Sequence, residues 1–132
     1  MKTLTLTCLL LIGFTSLTVA QTKSVENEKF VFLNNGATVG MIVKSVLKAD
    51  QQRLKLTPEQ IPKAKQIITD ATVKYNEGVK KMKATGLNQK KLRVFAIEVE
   101  TEKARNYKAI LTPAQYAILQ AQHKKMYPES KV

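Results

Sequence analysis

The same pattern of helix-start residues occurs twice in the chain, at Leu56-Thr57-Pro58-Glu59-Gln60 and at Leu111-Thr112-Pro113-Ala114-Gln115. In each, the threonine is placed as a helix N-cap and the proline takes the first helical position, where its missing N–H is no loss. The glutamine three residues after the cap reaches back and completes a capping box. Leu56 and Leu111 can each pack on a residue of the following turn. Each segment therefore predicts the start of an α-helix.

The first of these helix starts has one irregular feature. Pro62 follows Pro58 by four residues, so its ring would clash with the Pro58 carbonyl in a regular helix. We therefore expect the first motif to open with an irregular turn.

Apolar residues recur at spacings of three and four along four stretches of the chain, as in amphipathic helices. The first stretch runs from Thr38 to about Arg53, and Gly86 is placed to end the second helix in a left-handed conformation. Pro128 should stop the fourth. The sequence predicts an all-α fold of two long and two shorter helices, with apolar faces that include Val39, Val43, Ala64, Ile68, Tyr75, Leu92, Val99, Tyr107, Leu119 and His123.

The first twenty residues have the pattern of a cleavable secretory signal peptide. Lys2 gives a positive start, residues 4–17 are mostly apolar, and Thr18-Val19-Ala20 is a small-x-small cleavage site. The apolar run is shorter than the ~20 residues that a membrane-spanning helix needs. We expect export and a mature chain beginning at Gln21. Since the only cysteine, Cys8, lies in the signal, that mature chain would have no disulfide and no thiolate chemistry.

The segment after the signal combines a polar lead with Phe30-Val31-Phe32-Leu33 and the turn Asn34-Asn35-Gly36. Either a short strand or an extended arm docked on a helix fits this pattern, and we interpret it as an arm. The predicted organisation is a signal peptide at 1–20, an N-terminal arm at 21–37, a helical domain at 38–127 and a tail at 128–132.

The chain is strongly basic, with 22 Lys and Arg against 10 Asp and Glu and a formal charge of +12. Outside the cytoplasm such a surface would meet acidic polypeptides, anionic lipid headgroups or envelope polymers, because attraction of this kind does not depend on sequence. No nucleic-acid-binding motif is present, and we expect no nucleic-acid partner. Six cations cluster around Gly86: Lys80, Lys81, Lys83, Lys90, Lys91 and Arg93. They could bind a partner, or they could solvate a turn and complement a helix dipole.

The residues that catalysis or metal binding would need are few. His123 is the only histidine, and no second histidine or mature-chain cysteine could complete a zinc site with it. We interpret it as a packing residue. Glu100 with Lys103 and Glu102 with Arg105 have the spacing of helix-surface ion pairs, which explains these carboxylates better than paired acid-base catalysis does. The sequence predicts no enzyme activity, no metal and no cofactor.

With its two motifs in a small, basic, helical domain behind a signal peptide, the chain resembles the LTxxQ-motif family of exported bacterial proteins, the Spy/CpxP type. The resemblance covers the signal peptide and roughly residues 38–127, and does not include the arm. It implies a periplasmic protein of a Gram-negative envelope whose four helices form a curved hairpin and pair into a cradle-like homodimer. The residues that carry it are Leu56, Thr57, Pro58, Gln60, Leu111, Thr112, Pro113 and Gln115.

The same resemblance implies an ATP-independent chaperone that holds unfolding proteins, or an accessory protein that damps envelope stress signalling. In the first hypothesis, the six cations around Gly86 attract unfolded or acidic polypeptides and exposed apolar side chains retain them. In a second, the chain docks on the sensor domain of a membrane stress receptor. In a third, it is a structural protein of the envelope whose lysines meet anionic headgroups.

Overall fold

A computed structural model describes residues 25–132, and the predicted signal peptide and residues 21–24 of the arm lie outside that range. Within it the fold is all-α, as the sequence predicted, and strand-like pairing is limited to one antiparallel bridge between Lys29 and Thr38. The helices are α1 (Val39–Leu54), α2 (Gln60–Thr85), α3 (Gln89–Tyr107) and α4 (Pro113–Met126).

The longest helix, α2, packs extensively against both α1 and α3, whereas α4 makes smaller contacts with α3 and α1. The central core comes from all four helices and from one residue of the arm, so the elements share a single apolar interior. Its buried members are Phe30, Val39, Val43, Leu54, Ala64, Ile68, Ala104, Tyr107 and Leu119.

Short polar side chains and positive backbone angles set the helix ends. Thr38 caps α1 by accepting from the Met41 amide at 3.3 Å, and Asn88 caps α3 by accepting from two amides of its first turn. Helix α1 ends at Lys55, which is left-handed. Gly86 has the positive φ that the sequence predicted, but its angles (φ 103°, ψ 102°) lie outside the left-handed helical region that we expected.

The arm folds back on itself before α1 begins. The Phe30 amide donates to the Ala37 carbonyl, and the Val39 amide donates to the Glu28 carbonyl, both at 2.8 Å. Gly36 has a φ of +80° in the intervening turn, which is a conformation that glycine adopts without steric cost. This fold-back places Phe30, which is buried, against α2.

Candidate functional site

The two glutamines of the repeated motif form a reciprocal hydrogen-bonded pair. Gln60 Nε2 donates to Gln115 Oε1 at 2.8 Å, and Gln115 Nε2 donates to Gln60 Oε1 at 3.0 Å. Each amide nitrogen also donates to a main-chain carbonyl just before the other motif, Gln60 to Ile110 at 2.9 Å and Gln115 to Leu54 at 3.1 Å. We call Gln60, Gln115 and these two carbonyls the glutamine clasp. It joins the α1–α2 connection to the α3–α4 connection.

The second motif forms the complete cap that its sequence predicts. The Thr112 hydroxyl accepts from the Gln115 amide at 3.2 Å, and Gln115 Oε1 accepts from the Thr112 amide at 3.0 Å. Proline stands at the start of this helix, as expected. Gln115 therefore serves the capping box and the glutamine clasp with the same amide group.

The first motif forms only half of this cap. Gln60 Oε1 accepts from the Thr57 amide at 2.9 Å, but α2 begins only at Gln60 and no side chain caps it. Thr57 is therefore not the N-cap that the sequence predicted. Pro62 gives the physical reason, because it has no N–H to donate to the Pro58 carbonyl. The Glu59 carboxylate accepts hydrogen bonds from its own backbone and from the Thr57 side chain, and these bonds hold the pKa of Glu59 below its ordinary value.

Three of the six cations near Gly86 are engaged by other parts of the chain. Lys80 pairs with Glu28 and Glu77. Lys83 donates to the Val31 carbonyl at 2.6 Å, and Arg93 pairs with Glu129 of the tail at 2.8 Å. Their contacts fasten the arm and the tail, so the charge cluster is partly structural.

The other three cations are exposed, and within residues 25–132 they make no ion pair. The side chains of Leu87 and Val94 lie in the same segment and are 47% and 60% exposed. We call this set the basic turn: Lys81, Leu87, Lys90, Lys91 and Val94. It presents positive charge and apolar area together at the α2–α3 connection.

Asn76 is a polar anchor that the sequence pattern did not predict. It is 1% exposed on α2, and its Oδ1 accepts from the Val31 amide at 2.9 Å. Its Nδ2 donates to the Lys29 carbonyl, also at 2.9 Å. A signal was present in the sequence, because Asn76 stands between Thr72 and Val79 at helical spacing, on the face that becomes buried.

Asp50 and Tyr107, whose contact the sequence pattern did not predict either, join α1 to the end of α3. Asp50 is 1% exposed, accepts from the Tyr107 hydroxyl at 2.6 Å, and pairs with Arg53 one turn later. Burial, with the neighbouring Asp50 charge second, raises the pKa of the Tyr107 phenol strongly, so this hydroxyl stays protonated and donates. Asp50 continues the apolar stripe of α1, and an acid on such a stripe was the available signal.

His123 and the acidic residues of α3 lie in structural contacts. His123 is 6% exposed, and its Nε2 is 2.8 Å from the Ser130 hydroxyl. Glu100 pairs with Lys103 at 2.7 Å as predicted, but Glu102 pairs with Lys74 of α2 rather than with Arg105. The lysine reaches across the α2–α3 contact, which a pairing rule for one helix does not consider.

Two adjoining cavities of about 270 and 310 Å³ lie between α1 and α3, the first also lined by the arm and α2 and the second by α4. The first has aromatic walls from Phe30, Phe32 and Tyr75. Both reach Glu100 and Lys103, which neutralise each other. The first cavity therefore offers mainly apolar walls, which suit an apolar side chain better than a small charged molecule, whereas the lining of the second also includes Asp50, Arg53 and His123.

Among the described residues there is no helix long and apolar enough to cross a membrane. Residues 25–132 also contain no group of three or more His, Cys, Asp or Glu side chains that could hold a metal ion. Comparison with protein-family models, curated proteins and solved structures finds no match to the chain.

Proposed function

We propose that this chain is an exported, ATP-independent chaperone of the LTxxQ type that acts in the periplasm as a homodimer with the curved, cradle-like shape of that family. It would bind unfolding envelope proteins without catalysis and without a cofactor. The observation that carries the proposal is the basic turn, where three exposed cations and the exposed residues Leu87 and Val94 belong to the same segment.

Charge and apolar area have different tasks in such a surface. Long-range attraction by Lys81, Lys90 and Lys91 raises the rate at which an acidic or unfolded polypeptide meets the surface. Short-range burial of its apolar residues against Leu87 and Val94 then retains it. Because both effects are weak at each contact and indifferent to sequence, they suit a protein that holds many clients and releases them without ATP.

The deciding experiment is an aggregation assay on the mature chain. A chemically unfolded client is diluted without ATP, and light scattering is followed with the chain present at near-stoichiometric amounts. The triple variant K81E/K90E/K91E should lose most of the suppression that the unaltered chain gives. A matched variant, K44E/K48E/K63E, makes the same change in net charge at exposed lysines on α1 and α2, and should retain suppression.

The other outcomes separate the alternatives. No suppression, with tight binding to one sensor domain, would favour the regulatory module that damps envelope stress signalling. Binding to anionic liposomes alone would favour the structural envelope protein. Equal loss in the two triple variants would mean that net charge acts, and not the basic turn.

A further inference from the structure

The arm lies on α2 in the way that a bound peptide lies on a receptor. Asn76 accepts from the Val31 amide and donates to the Lys29 carbonyl, with both distances 2.9 Å. It therefore contacts a donor and an acceptor two residues apart, which is how one strand contacts the next in a sheet. These are main-chain groups, which a segment of almost any sequence would offer.

Side chains on alternate positions of the arm meet an aromatic surface. Phe30 stacks on Tyr75 with ring centroids 6.1 Å apart, and Phe32 meets the same tyrosine edge to face at 5.6 Å. Phe95 stacks behind Tyr75 at 6.0 Å, with the ring planes 10° apart. Residues 31–33 form a turn just after Phe30, and the two ring contacts place both phenylalanines against this surface.

The positive charges of Lys80 and Lys83 add a preference at a third position of the bound segment. Lys80 pairs with Glu28, which comes two residues before Phe30, and Lys83 donates to the Val31 carbonyl. An acidic residue at this place in a bound segment would therefore gain a charge-assisted contact. Together these contacts favour a segment with the pattern of residues 28–32, which is an acidic residue, any residue, an aromatic residue, any residue and an aromatic residue.

We propose that Asn76, Tyr75, Lys80 and Lys83 form a peptide-binding site for segments of that pattern that take the conformation of residues 28–32, which fill the site within the same molecule. A segment of another polypeptide occupies the site when the arm leaves it. Departure requires local unfolding of the arm, which precedes the first helix, because Phe30 is only 8% exposed and must leave the core, whereas Phe32 and Leu33 are already 45% exposed. This site goes beyond the proposed holding function, since the basic turn attracts polypeptides without regard to sequence and this site selects among them.

The test uses the mature chain and a fluorescent peptide with the sequence of residues 25–37, followed by anisotropy. The variant V31P removes the amide that Asn76 contacts and so opens the site. Its dissociation constant for the peptide should fall at least about tenfold, because apparent affinity scales with the fraction of molecules whose site is open. V31A keeps the amide and is the matched control, and it should bind the peptide as weakly as the unaltered chain.

Two further measurements establish which groups recognise the peptide. In the V31P background, N76A should abolish the gain, and a peptide with the acidic and aromatic residues moved to other positions should not bind. E28K opens the site in a second way, by reversing the charge that Lys80 contacts, and circular dichroism checks that the helices persist in every variant. No gain in either V31P or E28K, or equal binding of the rearranged peptide, would overturn the proposal.

The two functions can be told apart in the same preparations. K81E/K90E/K91E should lose aggregation suppression and still bind the peptide once V31P is added. If suppression fails in the unaltered chain while V31P binds the peptide, the proposed holding function is wrong and the peptide site stands.

Discussion

Gln60 and Gln115 each accept from the threonine amide of their own motif and donate across to the other motif. A capping glutamine normally serves one helix end, and here each one also holds the connection of the other helix pair. The repeated motif therefore holds the two helix connections together. Because glutamine occupies the same position in both copies, the two side-chain amides have matching partners.

The glutamine clasp predicts a coupling energy between its two residues. Q60A and Q115A should each lower the free energy of unfolding by about 1 to 3 kcal/mol, because each leaves polar groups without partners. The double variant should lose less than the sum of the two, by about 0.5 kcal/mol or more. Urea denaturation measures all three. Q115E is the control, since it keeps the acceptor for Thr112 and removes the donors. Strict additivity would mean that the two amides do not interact.

His123 predicts a dependence of stability on pH. Burial is the main cause that lowers its pKa, opposed by Glu100 and reinforced by Lys103. Below its ordinary pKa of about 6.5, the unfolded chain takes up a proton that the folded chain resists. Stability is therefore complete above that pH and declines as the pH falls from about 7 towards 5. Denaturation at several pH values should show this decline, and H123Q should flatten it. The same slope in both proteins would exclude His123 as its source.

At the scale of elements, the α2–α3 contact depends on a residue without a side chain. A Cβ added at Gly78 would lie 2.0 Å from Cε1 of Phe95, far inside van der Waals contact. The glycine thus lets the Phe95 ring approach α2 and stack on Tyr75. Glycine within a helix costs about 1 kcal/mol of stability relative to alanine. The close approach of Phe95 therefore comes with a loss of helix propensity at position 78.

The prediction is a reversal of sign. G78A should destabilise the unaltered chain, because the ring must leave its place on Tyr75. In the F95A background the clash is absent, and G78A should stabilise by up to about 1 kcal/mol through helix propensity. Thermal denaturation of the four proteins measures the effect. A stabilising G78A in the unaltered chain would show that Phe95 moves aside freely.

The four helices were predictable because apolar spacing and capping residues act locally. Thr112 caps as its sequence suggests, since nothing near it competes. Thr57 does not, because Pro62 disturbs the same turn from five residues away. Asn76 and Asp50 could not be assigned, since their partners lie at Lys29, Val31 and Tyr107. Sequence spacing indicates that a polar residue will be buried but does not identify the group that will satisfy it.

Across the whole molecule, the basic side chains that give the chain its formal charge of +12 differ in what they contact. Lys80, Lys83 and Arg93 hold the arm and the tail, whereas the lysines of the basic turn remain exposed. Like charges that stay unpaired repel one another and reduce stability. This distribution could not be read from the sequence, because Glu28, Val31 and Glu129, which contact the first group, are distant from it in the chain.

The most direct test of the proposed holding function is the rate of client capture at two salt concentrations, followed by stopped-flow fluorescence with a labelled unfolded client. The Debye length falls from ~10 Å at 0.1 M salt to ~3 Å at 1 M. The association rate of the unaltered chain should therefore fall markedly with salt while the dissociation rate changes little. K81E/K90E/K91E should associate slowly even at low salt, and K44E/K48E/K63E should resemble the unaltered chain. An unchanged association rate for K81E/K90E/K91E at low salt would contradict a role for the basic turn in client capture.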